Sequence, residues 1–192
     1  SSSKIQEMLT EKLQLNPEDV YTVDGIVDIS TLIDLREIEG FSELKFSSWK
    51  KSLIKGFVPG QPFWDKIKQG DILLHVPYQS YEPVLQFIND AADDPDVLAI
   101  KMTLYRTSNH SAITAALERA ARNGKQVTVF VELKARFDEK QNISWADRLE
   151  RAGAIVVYGI VNLKVHGKLM LVVRREQTGV KRYVHFSTGN YN

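Results

Sequence analysis

The sequence of 192 residues contains no cysteine. The absence of cysteine excludes disulfide bonds, zinc sites built on thiolates and cysteine nucleophiles, and it is typical of proteins from a reducing compartment. No stretch approaches the roughly 18 apolar residues that a membrane-spanning helix needs. Residues 1–10 also lack the apolar centre of a secretion signal. We therefore expect no integral membrane segment.

Net charge is also nearly absent, because 25 Lys and Arg residues offset 24 Asp and Glu residues. A general nucleic-acid binder is normally strongly basic, so we expect no nucleic-acid partner. The balance hides a local excess, since residues 164–182 include one acid, Glu176, and six basic residues: Lys164, Lys168, Arg174, Arg175, Lys181 and Arg182. A local basic surface can bind an anion although the whole chain is almost neutral.

The composition, with 43% hydrophobic and 26% charged residues, is that of a globular protein. The length fits one domain with at most a small appendage. Within residues 1–62, Pro59-Gly60 and Pro62 are typical of a connector. Helical spacing there is limited to short stretches, for example that of Ile5, Met8, Leu9 and Leu13. Residues 1–62 therefore predict a small helical and irregular segment.

From residue 71 onwards, short apolar runs alternate with segments of helical periodicity. The runs predict buried strands at residues 72–76, 97–105, 126–133 and 154–158. Two later runs, residues 169–173 and 182–186, flank a polar turn at residues 177–179 and predict a β-hairpin. Strands that alternate with helices are typical of a mostly parallel sheet covered by helices, so the predicted fold is α/β with a terminal hairpin.

Polar and basic residues follow the predicted strands. These clusters lie at residues 75–80, 105–108, 132–138, 163–168 and 187–190. In sheets of this class, ligand sites gather beyond the carboxyl ends of the strands. The clusters therefore indicate one shared anionic ligand.

The most specific cluster is His166-Gly167-Lys168, which leads into a predicted strand. Residues two apart in an extended segment point to the same side, so the imidazole and the ammonium group are expected to lie together. A neutral imidazole is a nucleophile, and an adjacent ammonium group can neutralise a phosphoryl oxygen during attack. Asn190, which follows a Thr-Gly pair, is placed to orient the histidine or to donate to the phosphoryl group.

Five blocks of the sequence together resemble the bacterial polyphosphate kinases of the long, histidine-phosphorylating type. The blocks are DILLHVPYQS at 71–80, AIKMTLYR at 99–106, VELKARFDE at 131–139, LKVHGK at 163–168 and STGNYN at 187–192. The resemblance implies a catalytic core of the phospholipase D fold, in which two similar halves each supply a histidine and a lysine. It identifies residues 1–62 as the C-terminal remnant of the family's head domain with a connector, and residues 63–192 as the first phospholipase D-like catalytic domain, truncated at its C-terminal end.

The resemblance also implies the chemistry. His166 would accept the γ-phosphoryl group of ATP and pass it reversibly to polyphosphate, with ADP as the other product and with Lys168 and Asn190 as partners of the histidine. Mg²⁺ would be the cofactor. The family further implies a homo-oligomer that is cytoplasmic or peripheral at the membrane.

Three further residues are implied to bind phosphate. Arg106 and Arg136 match the two arginines that surround the phosphates, at positions that the family associates with Mg²⁺, and Lys134 would be an additional phosphate contact. A guanidinium group suits phosphate because its planar fork forms paired, charge-assisted hydrogen bonds. It has no free lone pair, so the physical interpretation is phosphate binding beside Mg²⁺ rather than direct ligation.

Two alternatives remain beside this interpretation. The first is a phospholipase D-type phosphodiesterase. Val173 argues against this activity, because the phospholipase D pattern has an aspartate at that position, five residues after the lysine. The second is a non-catalytic fragment that binds polyanions. We expect an isolated fragment with half of an active site, inactive by itself, in which Gly167 replaces the small residue, often alanine, that the family has between histidine and lysine.

Other residues have simpler interpretations. His110 is predicted to be a surface residue at the start of a helix, His185 a strand residue, and Trp145 a packing residue of a helix. The pair Arg174-Arg175 either flanks an exposed turn or contacts phosphate.

Overall fold

The computed structural model of the protein describes residues 3–25, 28–105, 111–132, 139–160, 163 and 165–191. The chain divides into two compact units, residues 1–48 and residues 49–192. The division that the sequence suggested at residues 62 and 63 concerns family domains and stays a prediction. No helix in the described ranges is both long enough and apolar enough to cross a membrane.

The first unit consists of short helices. Helix α1 is Ser3–Lys12, and it is followed by the 3₁₀ helices Pro17–Asp19, Ile29–Glu37 and Ser42–Leu44. None of the side chains described in residues 3–48 is buried. The predicted small helical and irregular segment is therefore confirmed for these residues, and its described part contains no hydrophobic core of its own.

The second unit is built on a mixed sheet of five strands in the order β3-β2-β1-β4-β5. The strands are β1 (Val97–Leu104), β2 (Gln126–Val131), β3 (Ile155–Tyr158), β4 (Lys168–Glu176) and β5 (Gly179–Ser187). Strands β1, β2 and β3 are parallel, whereas β4 runs antiparallel to β1 and forms a hairpin with β5. The α/β class and the terminal hairpin are thus confirmed.

Four helices accompany this sheet in the described residues: α2 (Trp64–Lys68), α3 (Glu82–Asp93), α4 (Ala112–Arg122) and α5 (Glu139–Arg151). The crossovers from β1 to β2 and from β2 to β3 step in the same direction across the sheet. Because such crossovers are right-handed, α4 and α5 lie on the same face. Helices α3, α4 and α5 contact each other in that order.

The hydrophobic core lies between these helices and one face of the sheet. Residues that share this face by strand register are fully or almost fully buried, namely Ile100, Met102, Leu104, Val127, Val129, Val131, Met170 and Val172. Trp145 on α5 belongs to the same core and is 0% exposed, which confirms its prediction as a packing residue. Apolar side chains of the opposite face, such as Val157 and Phe186, are exposed.

The strand predicted at residues 72–76 is wrong. This segment is irregular and ends in a turn in which the backbone N–H of Gln79 donates to the carbonyl oxygen of His75 at 2.8 Å. Ile72 and Leu74 pack against the core, whereas Leu73 is 90% exposed. The apolar run therefore belongs to an extended segment with one side against the core, and the run by itself does not indicate a strand partner.

Candidate functional site

The histidine and the lysine of the predicted pair lie side by side at the start of β4. The Nζ atom of Lys168 is 3.1 Å from Nδ1 and 3.4 Å from Nε2 of His166, and it donates a hydrogen bond of 2.7 Å to the backbone oxygen of His166. Lys168 is 5% exposed, whereas His166 is exposed. Because an ammonium group has only donors, a hydrogen bond between these two side chains requires a ring nitrogen of His166 that accepts.

An aromatic ring forms one wall of this pair. The ring of Tyr105 lies edge-on to the imidazole of His166, with 6.4 Å between ring centres. The Nζ atom of Lys168 is 5.3 Å from the centre of the same tyrosine ring. This cation–π contact helps to offset the cost of burying the ammonium group. Tyr105 belongs to a predicted polar cluster, but no pattern in the sequence indicated its contact with Lys168.

Thr103 fixes the backbone that carries the pair. Its Oγ1 atom donates to the carbonyl oxygen of Gly167 at 2.7 Å and accepts from the backbone N–H of Leu169 at 2.9 Å. The regular pairing of β1 with β4 ends at Met102 and Met170. Beyond that point, the side chain of Thr103 links the two strands by hydrogen bonds. The hydroxyl group thus anchors the residues on both sides of Lys168.

Replacing Thr103 by valine keeps the side-chain shape and removes both hydrogen bonds. We expect a decrease of about 1–2 kcal/mol in the free energy of unfolding, measured by urea denaturation. The matched control is Thr128→Val, at a half-buried threonine on the same sheet face. Equal stability of the Thr103→Val chain and the wild type would contradict the anchoring role.

A buried carboxylate holds the segment that precedes the histidine. Glu132 is 4% exposed, and its Oε2 atom accepts a hydrogen bond of 3.1 Å from the backbone N–H of Val165. The backbone N–H of Glu132 itself donates to the carbonyl oxygen of Leu104 at 3.1 Å. The end of β2 therefore positions the approach to His166, a role that the sequence did not assign to Glu132.

Asn190 lies in the segment that follows β5. Ser187, the last residue of β5, pairs with Lys168, so the register brings the end of β5 to the start of β4. The Oδ1 atom of Asn190 is buried, and it has no hydrogen-bond partner within the described part of the chain. An unpaired buried acceptor is costly unless a donor arrives with a ligand or a solvent molecule.

The neighbouring Tyr191 anchors this segment in the core. Tyr191 is 1% exposed, and its hydroxyl oxygen is 2.7 Å from Nδ1 of His185 on β5. Burial raises the pKa of Tyr191 and lowers the pKa of His185, so a protonated phenol donates to a neutral imidazole. His185 was predicted only as a strand residue, and the pairing with Tyr191 could not be inferred from their spacing.

The lowered pKa of His185 predicts a loss of stability in acid. As the pH falls below about 6.5, the unfolded chain gains a proton at this histidine. The folded chain gains that proton only at a lower pH, because burial holds its pKa down. The unfolded state therefore binds more protons in this window, and the free energy of unfolding decreases as the pH falls.

Urea denaturation at pH 7.5 and at pH 5.5 measures this effect. The decrease in the free energy of unfolding is expected to be smaller for His185→Asn, which has no group that titrates there. His75→Asn serves as the control, because His75 is exposed. An identical pH dependence in His185→Asn and the wild type would refute the assignment.

The three remaining predicted contacts lie outside the described residues. Arg106, Arg136 and Lys134 belong to the ranges 106–110 and 133–138, which the structure does not describe. Their proximity to His166 and to phosphate stays a prediction.

A directly ligated metal ion fits the described residues poorly. No group of three or more His, Asp or Glu side chains that could hold a metal occurs among them. Glu132, the buried carboxylate beside the site, already accepts a hydrogen bond from Val165. Mg²⁺ is commonly bound through one or two carboxylates together with substrate phosphates. The predicted Mg²⁺ neighbourhood of Arg106 and Arg136 lies outside the described ranges and stays a prediction.

Comparison with known proteins places the chain in one family. Residues 62–192 match the family model "Polyphosphate kinase C-terminal domain 1". The chain is 46% identical over 192 residues to the polyphosphate kinase of Rhodopirellula baltica, and the matched region covers 100% of this chain and 22% of that protein. It is 46% identical over 191 residues to the polyphosphate kinase of Bacillus anthracis, with 98% of this chain and 27% of that protein covered.

A solved structure agrees with these relatives. The crystal structure of polyphosphate kinase from Porphyromonas gingivalis matches 95% of this chain and 30% of its own chain, with 35% sequence identity and a TM-score of 0.70. The chain thus spans about a quarter of the length of the curated relatives it matches. The family model covers well over half of the sequence. The chain belongs to the polyphosphate kinase family.

Proposed function

We propose that the protein carrying this chain is an ATP:polyphosphate phosphotransferase that works through a phosphohistidine at His166. The observation that supports this most is the contact of 3.1 Å between Nζ of Lys168 and Nδ1 of His166. A nucleophilic nitrogen and a positive charge are then within reach of the same phosphoryl group. Self-association, and a location in the cytoplasm or at the membrane surface, belong to the same proposal.

The first step forms the phosphohistidine. A lone pair of the His166 ring attacks the γ-phosphorus of ATP, a nitrogen–phosphorus bond forms, and the bond between the γ-phosphorus and the bridging oxygen breaks. ADP leaves with the electron pair of that bond. Lys168 exchanges its ring-nitrogen contact for an oxygen of the phosphoryl group, which frees the lone pair and stabilises the charge on that oxygen.

The second step regenerates the histidine. A terminal oxygen of polyphosphate attacks the phosphorus, the nitrogen–phosphorus bond breaks, and the ring nitrogen recovers its electron pair. Both steps exchange one bond to phosphorus for another, between the ring nitrogen and a phosphate oxygen. Each step can therefore also run backwards, and the overall transfer is reversible. Arg106, Arg136 and Lys134 are proposed to hold the phosphates of both substrates, and the unpaired Oδ1 of Asn190 supports a polar ligand near this end of the sheet.

Substitution of Lys168 by methionine tests the proposal in the full-length polypeptide that carries this chain. The rate at which protein-bound label appears from γ-labelled ATP is expected to fall by about 10²- to 10³-fold, as when one charge-stabilising donor is lost. Methionine keeps much of the length of the buried stem, so folding, checked by circular dichroism, is expected to persist.

The matched control is Lys12→Met, at an exposed lysine of α1. This variant is expected to acquire label at the wild-type rate. Equal labelling rates in Lys168→Met and Lys12→Met would remove Lys168 from the proposed chemistry.

The two alternatives have weaker support. For phosphodiester cleavage, Val173 occupies the position five residues after Lys168 at which an aspartate is expected, and it lies on β4 as a strand residue. A non-catalytic polyanion-binding role accounts for the basic residues but gives no reason for the contact between His166 and Lys168. Hydrolysis of a phosphodiester by the wild-type polypeptide would favour the first alternative over phosphoryl transfer.

A further inference from the structure

A large basic cavity lies at the opposite end of the hairpin from His166. The cavity has a volume of about 890 Å³ and surrounds the turn between β4 and β5. Strand β4 has nine residues and runs from Lys168 to Glu176. At about 3.3 Å per residue, it places the cavity roughly 25 Å from the candidate site. The cavity is therefore separate from the candidate site at His166 and Lys168.

The floor of this cavity is a fixed arginine. Nε of Arg174 is 2.8 Å from Oδ2 of Asp94, and its Nη1 is 2.6 Å from Oε1 of Glu176. The guanidinium carbon lies 5.3 Å from the centre of the Trp64 ring, at cation–π distance. Because its charge is used by these partners, Arg174 is part of the frame and is poorly available to a ligand.

Glu176 completes the frame. Its Oε2 atom is 2.9 Å from Nζ of Lys68, and its Oε1 atom accepts a hydrogen bond of 2.9 Å from the hydroxyl group of Tyr183. The hydrogen bonds from Lys68, Arg174 and Tyr183 lower the pKa of Glu176 to about 2. This carboxylate is therefore ionised at neutral pH, and it balances the charge of Lys68.

Three cations of the cavity wall take no part in this network of ion pairs. Arg175, Lys181 and Arg182 are exposed, and none of them forms an ion pair with any residue in the described ranges. Five basic side chains line the cavity, and they are opposed by Asp96 and Glu176 of the lining and by Asp94, which contacts Arg174, so an excess of two positive charges remains. The cavity therefore attracts anions.

The spacing of these cations indicates an extended anion. In the hairpin register Lys181 pairs with Arg174, and Arg182 pairs with Val173. Since neighbouring residues of a strand point to opposite faces, Lys181 and Arg182 present their charges on the two sides of β5. A single phosphate cannot satisfy both sides, whereas consecutive phosphates of a chain carry a charge at each unit and can.

We propose that this cavity binds a segment of a condensed inorganic phosphate chain, at a distance from His166. The choice of a condensed phosphate rests on the proposed function, whereas the anion site itself rests on the charges. Nucleic acid is less suited, because single-stranded binding sites offer aromatic rings on which bases stack. Tyr183, the aromatic residue of the lining, is half-buried with its hydroxyl group bound to Glu176.

Calorimetric titration of the 192-residue chain with tripolyphosphate, which is too short to span both ends of β4, tests this site. The variant Arg175→Gln/Lys181→Gln/Arg182→Gln is expected to bind about tenfold to hundredfold more weakly at low salt, as three charged hydrogen-bond donors are lost. The control Lys4→Gln/Lys12→Gln/Arg151→Gln removes the same charge from exposed residues elsewhere. Its affinity is expected to change by less than about twofold.

A further variant separates the two ends of the sheet. Arg106→Gln/Arg136→Gln removes the predicted phosphate contacts near His166 and is expected to retain the binding that depends on the hairpin. If only this variant lost affinity, the cavity inference would be overturned and the proposed function would stand. If the hairpin variant lost affinity while the full-length protein failed to form a phosphohistidine, the anion site in the cavity would stand and the proposed function would be overturned.

Two outcomes bear on the ligand and on folding. Single-stranded oligonucleotide that binds as tightly as tripolyphosphate, with the same loss in the hairpin variant, would overturn the assignment to condensed phosphate.

The urea midpoint of the triple variant is compared with that of the wild type, and the single variant Arg182→Gln replaces the triple variant if that midpoint falls. Wild-type affinity in the correctly folded hairpin variant would refute the site.

Discussion

Replacement of His166 by alanine is expected to abolish the transfer of the γ-phosphoryl group from ATP to the full-length protein. Alanine removes the ring that would form the nitrogen–phosphorus bond, and Lys168, which lies 3.1 Å from that ring, cannot take its place. An ammonium group has no lone pair for attack on phosphorus. The expected result is therefore a loss of label to background, larger than the partial loss expected for Lys168→Met.

The measurement is protein-bound radioactivity after incubation with γ-labelled ATP, with polyphosphate synthesis followed in parallel. His110→Ala is the matched control, because the sequence predicts a surface residue there, although His110 lies outside the described residues. The control is expected to acquire label and to make polyphosphate at the wild-type rate. Polyphosphate synthesis that survives in His166→Ala would mean that the phosphoryl group passes directly between the substrates.

Replacement of Trp145 by alanine is expected to be the most destabilising single change in the described core. Trp145 lies on α5 and is 0% exposed, so its loss removes a large apolar surface and leaves a cavity. Substitutions of this kind cost about 3–5 kcal/mol in the free energy of unfolding. That cost is a large part of the stability of an ordinary domain, which is about 5–15 kcal/mol.

Urea denaturation measures this change, with Trp49→Ala as the matched control. Trp49 is 70% exposed and touches the ring of Tyr78 edge-on at 5.5 Å, so its removal is expected to cost about 1 kcal/mol or less. Trp145→Phe keeps an aromatic ring and provides a folded intermediate if the alanine variant does not fold. Equal costs at Trp145 and Trp49 would contradict the described core.

The sequence predicted the hairpin and most strands and helices correctly because their signals are local. The apolar faces of β1 and β2 repeat every second residue, and the polar turn between β4 and β5 separates two apolar runs. The same logic failed at residues 72–76, where the apolar run Ile72-Leu73-Leu74 is extended but pairs with no strand among the described residues. Pairing between strands is a long-range property, and an apolar run by itself does not indicate it.

The candidate site divides along the same line. The contact between His166 and Lys168 joins residues two apart, so extended geometry is enough to predict it. The contact of Thr103 with Gly167 joins residues that are 64 apart, and it exists because β4 inserts beside β1 rather than beside β3. Strand order of this kind depends on the whole sheet, so the anchoring role of Thr103 could not be read from its neighbours.

The central claim is that His166 carries the phosphoryl group, and the most direct measurement is the position and chemistry of protein-bound phosphate. The wild-type full-length protein is incubated with γ-labelled ATP without acceptor, divided between acid and alkaline treatment, and digested for peptide mapping. The account predicts label that acid removes and alkali does not, on the peptide that contains His166. Acid-stable label, label confined to a different peptide, or an unlabelled protein that still makes polyphosphate would contradict it.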